Sequence, residues 1–215
     1  MPIIIHGNSM SPFARKVLIG ATEKQIAFEH RQTGLQSDDQ DFLAASPFKK
    51  IPALVDGDFK ISDSTAILTY FEAIKPNPSL LPSEAKARAR AVWYEEFGDT
   101  ILTAAIGKVF FNRIVAPIFL KREGDSAAAS AALANEIPPV LDYLESVIPA
   151  SGFLVEDRFT LADLSVVSPL INLEHSDDLL QQGRWPKTLA YFNTHCQRPS
   201  IARYRQAERK MLGKA

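Results

Sequence analysis

Three prolines fall within seven residues in Lys75-Pro76-Asn77-Pro78-Ser79-Leu80-Leu81-Pro82, about a third of the way along the chain. Proline removes a backbone donor and clashes with the preceding turn, so neither helix nor strand continues through this stretch. The chain must therefore fold as something before it and something after it. We expect a first unit over residues 1–75, a linker over 76–82 and a second unit over 83–215. With 215 residues, 46% of them hydrophobic, there is enough apolar material for both sides to bury a core.

Before the prolines, strand and helix signals alternate. Ile3-Ile4-Ile5 is a short β-branched run bounded by Pro2 and Gly7, the pattern of a buried strand. Residues 12–24 read as a helix, with Pro12 at a first helical position and Phe13, Val17 and Ala21 recurring every four residues. A second strand is expected over Ile26 to Arg31 and a short helix over Asp38 to Ala45. Pro52-Ala53-Leu54-Val55 and Phe59-Lys60-Ile61 flank Asp56-Gly57-Asp58, a hairpin signal. From Ser62 to about Ile74 the period changes, with Ile67, Leu68, Phe71 and Ile74 on one helical face.

Beyond the prolines the sequence is alanine-rich and helical. One long helix or two are expected over 83–120, and another over 127–147, which Pro138 and Pro139 kink or break. Helices over Thr160 to Asn172 and Pro199 to Met211 follow. Thr160 and Asp163 have the spacing of a capping box, and Phe159 with Leu164 that of a hydrophobic staple. These readings together give an α/β first unit followed by an all-α second unit.

Charge and cysteine use narrow the partners. Twenty-four basic against 25 acidic residues give a formal charge of −1, which points to neither nucleic acid nor an anionic membrane. No apolar stretch approaches the roughly 20 residues of a membrane-spanning helix, and Met1-Pro2-Ile3-Ile4-Ile5 lacks the pattern of a signal peptide. The single cysteine, Cys196, has no thiol companion and reads as a small buried residue. His6, His30, His175 and His195 show no metal-ligand spacing and read as packing or surface residues. A cytosolic location is expected, with no metal.

Three segments carry chemistry. Ser9-Met10-Ser11-Pro12-Phe13-Ala14-Arg15 places a hydroxyl between a strand and the first turn of a helix, where free N–H groups and the helix dipole favour an anion such as a thiolate. A serine is too weak an acid to act as the base, but it can donate a hydrogen bond that holds a thiolate ionised. The alternative is a plain N-cap. In Lys50-Ile51-Pro52-Ala53-Leu54 a proline enters a strand, so it sits either at an edge or in a cis bond that turns the Ile51 backbone toward an added peptide strand. In Ile61-Ser62-Asp63-Ser64-Thr65-Ala66-Ile67, Asp63 and Ser64 either cap a helix or hold the zwitterionic end of an amino acid.

In this order, Ser11-Pro12-Phe13, Lys50-Ile51-Pro52 and Asp63-Ser64-Thr65-Ala66-Ile67 resemble the glutathione transferase superfamily, and so does the buried helix entry Gly152 to Asp163. The likeness spans essentially the whole chain and is nearest to the serine-using and bacterial branches. It implies a thioredoxin-like domain followed by a helical domain, homodimerisation, and glutathione as co-substrate with no tightly bound cofactor. It implies that Ser11 activates the glutathione sulfur and that Ile51 pairs through its backbone with the cysteinyl unit beside Pro52. Lys50 would approach the glycyl carboxylate, and Asp63 and Ser64 the γ-glutamyl end. Ser9, two residues earlier, is the alternative hydroxyl. Glu156 stands where relatives often carry glycine.

The implied activity is conjugation of glutathione to an electrophilic, hydrophobic small molecule. Phe13, Phe110, Phe111 and Ile114 are candidates to line its pocket and Arg113 to steer an anionic group, against the alternative of core packing and a solvated arginine. A non-catalytic relative, or a glutathione-dependent isomerase or peroxidase using the same site, are the competing readings. A serine cannot form a mixed disulfide, which disfavours thiol–disulfide exchange.

Overall fold

The computed structural model describes residues 2–34, 37–177 and 179–214. Strand β1 (Ile3–His6), helix α1 (Pro12–Glu23), β2 (Phe28–Arg31), α2 (Gln40–Ala45), β3 (Ala53–Asp56), β4 (Phe59–Ser62) and α3 (Ser64–Ile74) follow in the expected order. They form a four-stranded sheet ordered β2-β1-β3-β4. Parallel neighbours need a crossover, and α1 supplies it between β1 and β2, whereas β3 and β4 are antiparallel and joined by a tight turn. Gly57 takes the left-handed φ of +59° in that turn.

Pro52 is not at a sheet edge. It immediately precedes β3, an interior strand whose pairing begins at Ala53, and the Ile51–Pro52 bond is cis. The missing N–H thus falls just outside the ladder.

The proline-rich stretch ends the α/β unit but is not a loose spacer. Lys24 is fully buried, and its Nζ donates to Glu72 Oε1 at 2.7 Å and to the Pro78 carbonyl at 2.9 Å. Glu72 in turn accepts from Leu80 N at 2.8 Å, and the Leu80 carbonyl accepts from Leu161 N at 2.8 Å. Leu80 and Leu81 join one hydrophobic core that includes Val17, Leu18 and Phe71 on one side and Leu164 and Leu170 on the other.

After the prolines comes a single helical run, Ala85–Phe119, rather than two helices. It comprises α4 (Ala85–Glu96), a wider π-type stretch at Phe97–Leu102, α5 (Thr103–Phe110) and a second π-type stretch at Phe111–Phe119. This run is long and apolar enough to cross a bilayer by length and composition alone, which corrects the expectation that no such stretch exists. Lys108 and Arg113 interrupt the apolar letters and hide it in the sequence. Leu102, Ala105, Ile106 and Val109 are instead buried in the protein core, and α5 packs on α8. Gly98 permits the approach: a Cβ there would lie 2.4 Å from the Ser165 carbonyl oxygen.

Helix α6 (Ser126–Ala131), a π-type stretch at Ala132–Glu136 and α7 (Ile137–Val147) run on without a break. Pro138 and Pro139 sit in the first turn of α7, directly after the wider π-type stretch, so the helix changes its hydrogen-bond spacing just before them instead of breaking. Helix α8 (Leu161–Ser176) is buried on nearly every side and reaches one turn past its expected end. Its capping box forms: Thr160 N donates to Asp163 Oδ2 at 3.0 Å and Ala162 N donates to Thr160 Oγ1 at 3.3 Å.

Helix α9 (Pro186–Cys196) was not expected; α10 (Pro199–Met211) was. The buried positions of α9, Thr188, Tyr191, Phe192, His195 and Cys196, do follow helical spacing, but two of them are polar. Its first N–H groups are capped from a distance, with Lys187 N and Thr188 N donating to the two carboxylate oxygens of Glu145 at 2.9 and 2.8 Å. No local cap marks its start.

Candidate active site

Strand register gathers the three segments. His6 faces Ala53 across β1 and β3, and Ala53 faces Ser62 across β3 and β4. The residues that follow β1, precede β3 and follow β4 therefore leave the sheet at one end. Gly7 brings the first two together, since a Cβ there would sit 2.9 Å from Ala14 Cβ and 3.7 Å from Ile51 Cβ.

The turn into α1 is built by Asn8. Its Oδ1 accepts from Met10 N, and its carbonyl accepts from Ser11 N, both at 2.9 Å. This places Ser11 at the N-cap, where its Oγ accepts from Ala14 N at 3.4 Å. The cap and the anion-binding reading are compatible, because an accepting Oγ still has its O–H to donate. Ser11 is half-buried, whereas Ser9 is 4% exposed.

At the second segment, Ser46 clamps Lys50. The Ser46 hydroxyl donates to the Lys50 carbonyl at 2.7 Å and accepts from Lys50 N at 2.8 Å. The Lys50 side chain is exposed, and Ile51 is half-buried against the cluster of Phe42, Ala45, Ala53 and Val55. Ser46 escaped the sequence reading, since a serine between a helix end and a proline usually does no more than terminate the helix.

At the third, Asp63 adopts a φ of +85° and caps α3, its Oδ1 accepting from Thr65 N at 2.9 Å and Ala66 N at 3.0 Å. Asp63 is exposed and Ser64 is 3% exposed. Behind them Thr65 Oγ1 donates to Glu95 Oε1 at 2.8 Å, and Lys16 Nζ donates to the same oxygen at 3.0 Å and also to Asp99. Burial pushes the Asp99 carboxyl above its usual range, against the pull of Lys16. Two carboxylates share one ammonium behind the start of α3.

The second-substrate candidates divide. Phe110 and Ile114 pack with Met10, the residue between the two serines, in a small apolar cluster flanked by Val115, Ile118 and Leu212. Phe13 is half-buried in the first turn of α1. Phe111 and Arg113 do not join that cluster. Phe111 is 38% exposed beneath the Arg122 guanidinium, and Arg113 is held by Asp177 and by the Ser176 carbonyl at 3.2 Å. The helical twist turns Phe111 about 100° from Phe110, and the ion pair holds the arginine at the end of α8.

Cys196 is 4% exposed, and burial pushes its thiol up to about 12, so it is no nucleophile at neutral pH. His175 is more than packing: its Nε2 lies 2.9 Å from Glu208 Oε2, both side chains being fully buried.

The fold and this cluster define the class first: a thioredoxin-like α/β domain coupled to an all-helical partner. The domain family described as glutathione S-transferase, N-terminal domain, matches residues 5–79, and the corresponding C-terminal domain matches residues 110–208. A glutathione S-transferase of Hyoscyamus muticus is 33% identical over 76% of this chain and 79% of its own. Human glutathione S-transferase theta-1 is 30% identical over 80% of this chain and 73% of its own. Among solved structures, human glutathione S-transferase T1-1 superposes with a TM-score of 0.84 at 26% identity, covering 99% of this chain and 90% of that one. A glutathione S-transferase from Rhodospirillum rubrum superposes with a TM-score of 0.84 at 25% identity, covering 94% and 91%. The chain belongs to the glutathione S-transferase family.

Proposed function

We propose that this protein conjugates glutathione to small hydrophobic electrophiles, with residues 1–75 binding glutathione, 76–82 joining the halves and 83–215 contributing the electrophile pocket. The observation that carries the reading is the register that brings residues 8–11, 50–52 and 63–65 to one end of the sheet. Asp63 and Ser64 take the γ-glutamyl end, the Ile51 backbone beside Pro52 takes the cysteinyl unit, and Lys50 takes the glycyl carboxylate. The thiol loses its proton to solvent, and Ser11 donates a hydrogen bond to the thiolate. The sulfur then attacks the electrophilic carbon, forming the C–S bond. A leaving group departs with the bonding pair or, in an addition, the product carbanion takes a proton from water. A free thiol titrates near pH 8.5, so lowering it by about one to two units makes thiolate abundant at neutral pH. Met10, Phe110, Ile114 and Phe13 form the apolar side on which the electrophile rests.

The wild-type protein is expected to bind immobilised glutathione and elute with free glutathione, and Asp63→Ala is expected to pass through. Passage of the wild type would overturn the reading.

A homodimer in the cytosol completes the proposal. Phe48 is 85% exposed, Trp93 48%, and Val92 and Phe59 both 42%, apolar surface that a partner would cover. Light scattering should give twice the chain mass, and Phe48→Asp should shift it toward the monomer; a monomeric wild type at micromolar concentration would sink this part.

A further inference from the structure

Among the buried polar side chains of helix α8, Ser168, Asn172 and His175 are spaced four and three residues apart and hence lie on one face. The first two turn toward the start of α1. The Ser168 hydroxyl donates to the Pro12 carbonyl at 2.7 Å, and Asn172 Nδ2 donates to the Met10 carbonyl at 3.1 Å. The carbonyls of the residues before and after Ser11 are thus held from α8. One turn further on, Arg15 Nη1 donates to the Ser168 carbonyl at 2.6 Å, and its Nε and Nη2 make two 2.9 Å bonds to Glu208 of α10. His175 closes the set on the same carboxylate.

We propose that this stripe of Ser168, Asn172 and His175, completed by Glu208, positions the Ser11 turn for thiolate stabilisation, so that the helical half sets the geometry of a hydroxyl carried by the α/β half. The inference rests on the reading of Ser11 given above. Two facts support it. The bond from Ala14 N to Ser11 Oγ is 3.4 Å, too long to orient the hydroxyl firmly, whereas the α8 contacts to its neighbours are short. The stripe is also a costly way to fill a core. Asn172 Oδ1 and His175 Nδ1 are buried with no hydrogen-bond partner among the described residues, and apolar side chains would avoid that penalty. Ser168, Asn172 and Glu208 are positioning residues, not catalytic ones.

The test is the pKa of glutathione bound to the full-length protein, read from thiolate ultraviolet absorbance across pH, beside kcat and KM with an activated aryl halide. Asn172→Ala is expected to raise that pKa by more than about half a unit and lower kcat about tenfold, leaving the glutathione KM within about twofold. Ser168→Ala, which deletes one hydroxyl, should do the same more weakly and serves if Asn172→Ala does not fold. Ser11→Ala separates the two ideas. If it raises the thiol pKa while both α8 variants lower only the melting temperature, the positioning role is wrong and the Ser11 reading stands. If Ser11→Ala leaves the pKa in place, both fall.

Discussion

Ser11→Ala is expected to lower kcat for conjugation by about a hundredfold while the glutathione KM stays within a few-fold. Loss of one preorganised donor to a developing or resting anion typically costs two to three orders of magnitude in rate. The binding groups for the peptide ends lie in other segments, at Lys50, Ile51, Asp63 and Ser64. The defect has a pH signature. A hydrogen bond to the thiolate favours the ionised form, so its removal raises the thiol pKa. The variant should be most impaired at low pH and recover as pH rises past the new pKa. Losing the cap of α1 adds about 1 kcal/mol of destabilisation, which denaturation measures separately. Ser9→Ala is the matched control and should leave kcat unchanged, because Ser9 is buried and is not the N-cap of α1. Equal activity of Ser11→Ala and wild type would remove Ser11 from the mechanism.

Glu208→Gln is expected to cost about 3–5 kcal/mol of stability at neutral pH, seen as a lower urea midpoint. Arg15 and Glu208 are both fully buried and share two hydrogen bonds, so removing the carboxylate strands a buried guanidinium. The pH dependence has a definite sign. Burial alone would raise the Glu208 carboxyl, but Arg15 and His175 outweigh it and hold it below its ordinary range. A carboxyl depressed in the folded state adds stability that is fully present above its unfolded pKa, about 4.3. That stability is lost as pH falls through the lower folded value. Wild-type protein should therefore weaken in this acid window, and Glu208→Gln should lack that part of the slope. An unchanged midpoint at neutral pH would show that the pair contributes nothing.

The sequence made some features legible because they depend on neighbours along the chain. Ile3-Ile4-Ile5, the Asp56-Gly57-Asp58 hairpin and the Thr160 to Asp163 capping box each read from a few consecutive residues, and each forms where expected. Helix α9 was illegible because its cap, Glu145, lies some 40 residues upstream. The bilayer-length apolarity of Ala85–Phe119 was masked by Lys108 and Arg113, which pair with Glu136 and Asp177. Phe110 and Phe111 are adjacent letters with opposite fates, one packed on Met10 and the other under Arg122, because helical phase against a neighbouring element divides them.

Proline placement, hydrophobic period and cap chemistry determined the order of elements and the break between Ile74 and Ala85, since these act over one or two turns of chain. The bringing together of residues 8–11, 50–52 and 63–65 was decided by strand register, a property of pairing between distant segments. The burial of Arg15 with Glu208, 193 residues apart, was likewise decided only by packing. A charged pair reads locally as two solvated side chains until the fold removes water from both.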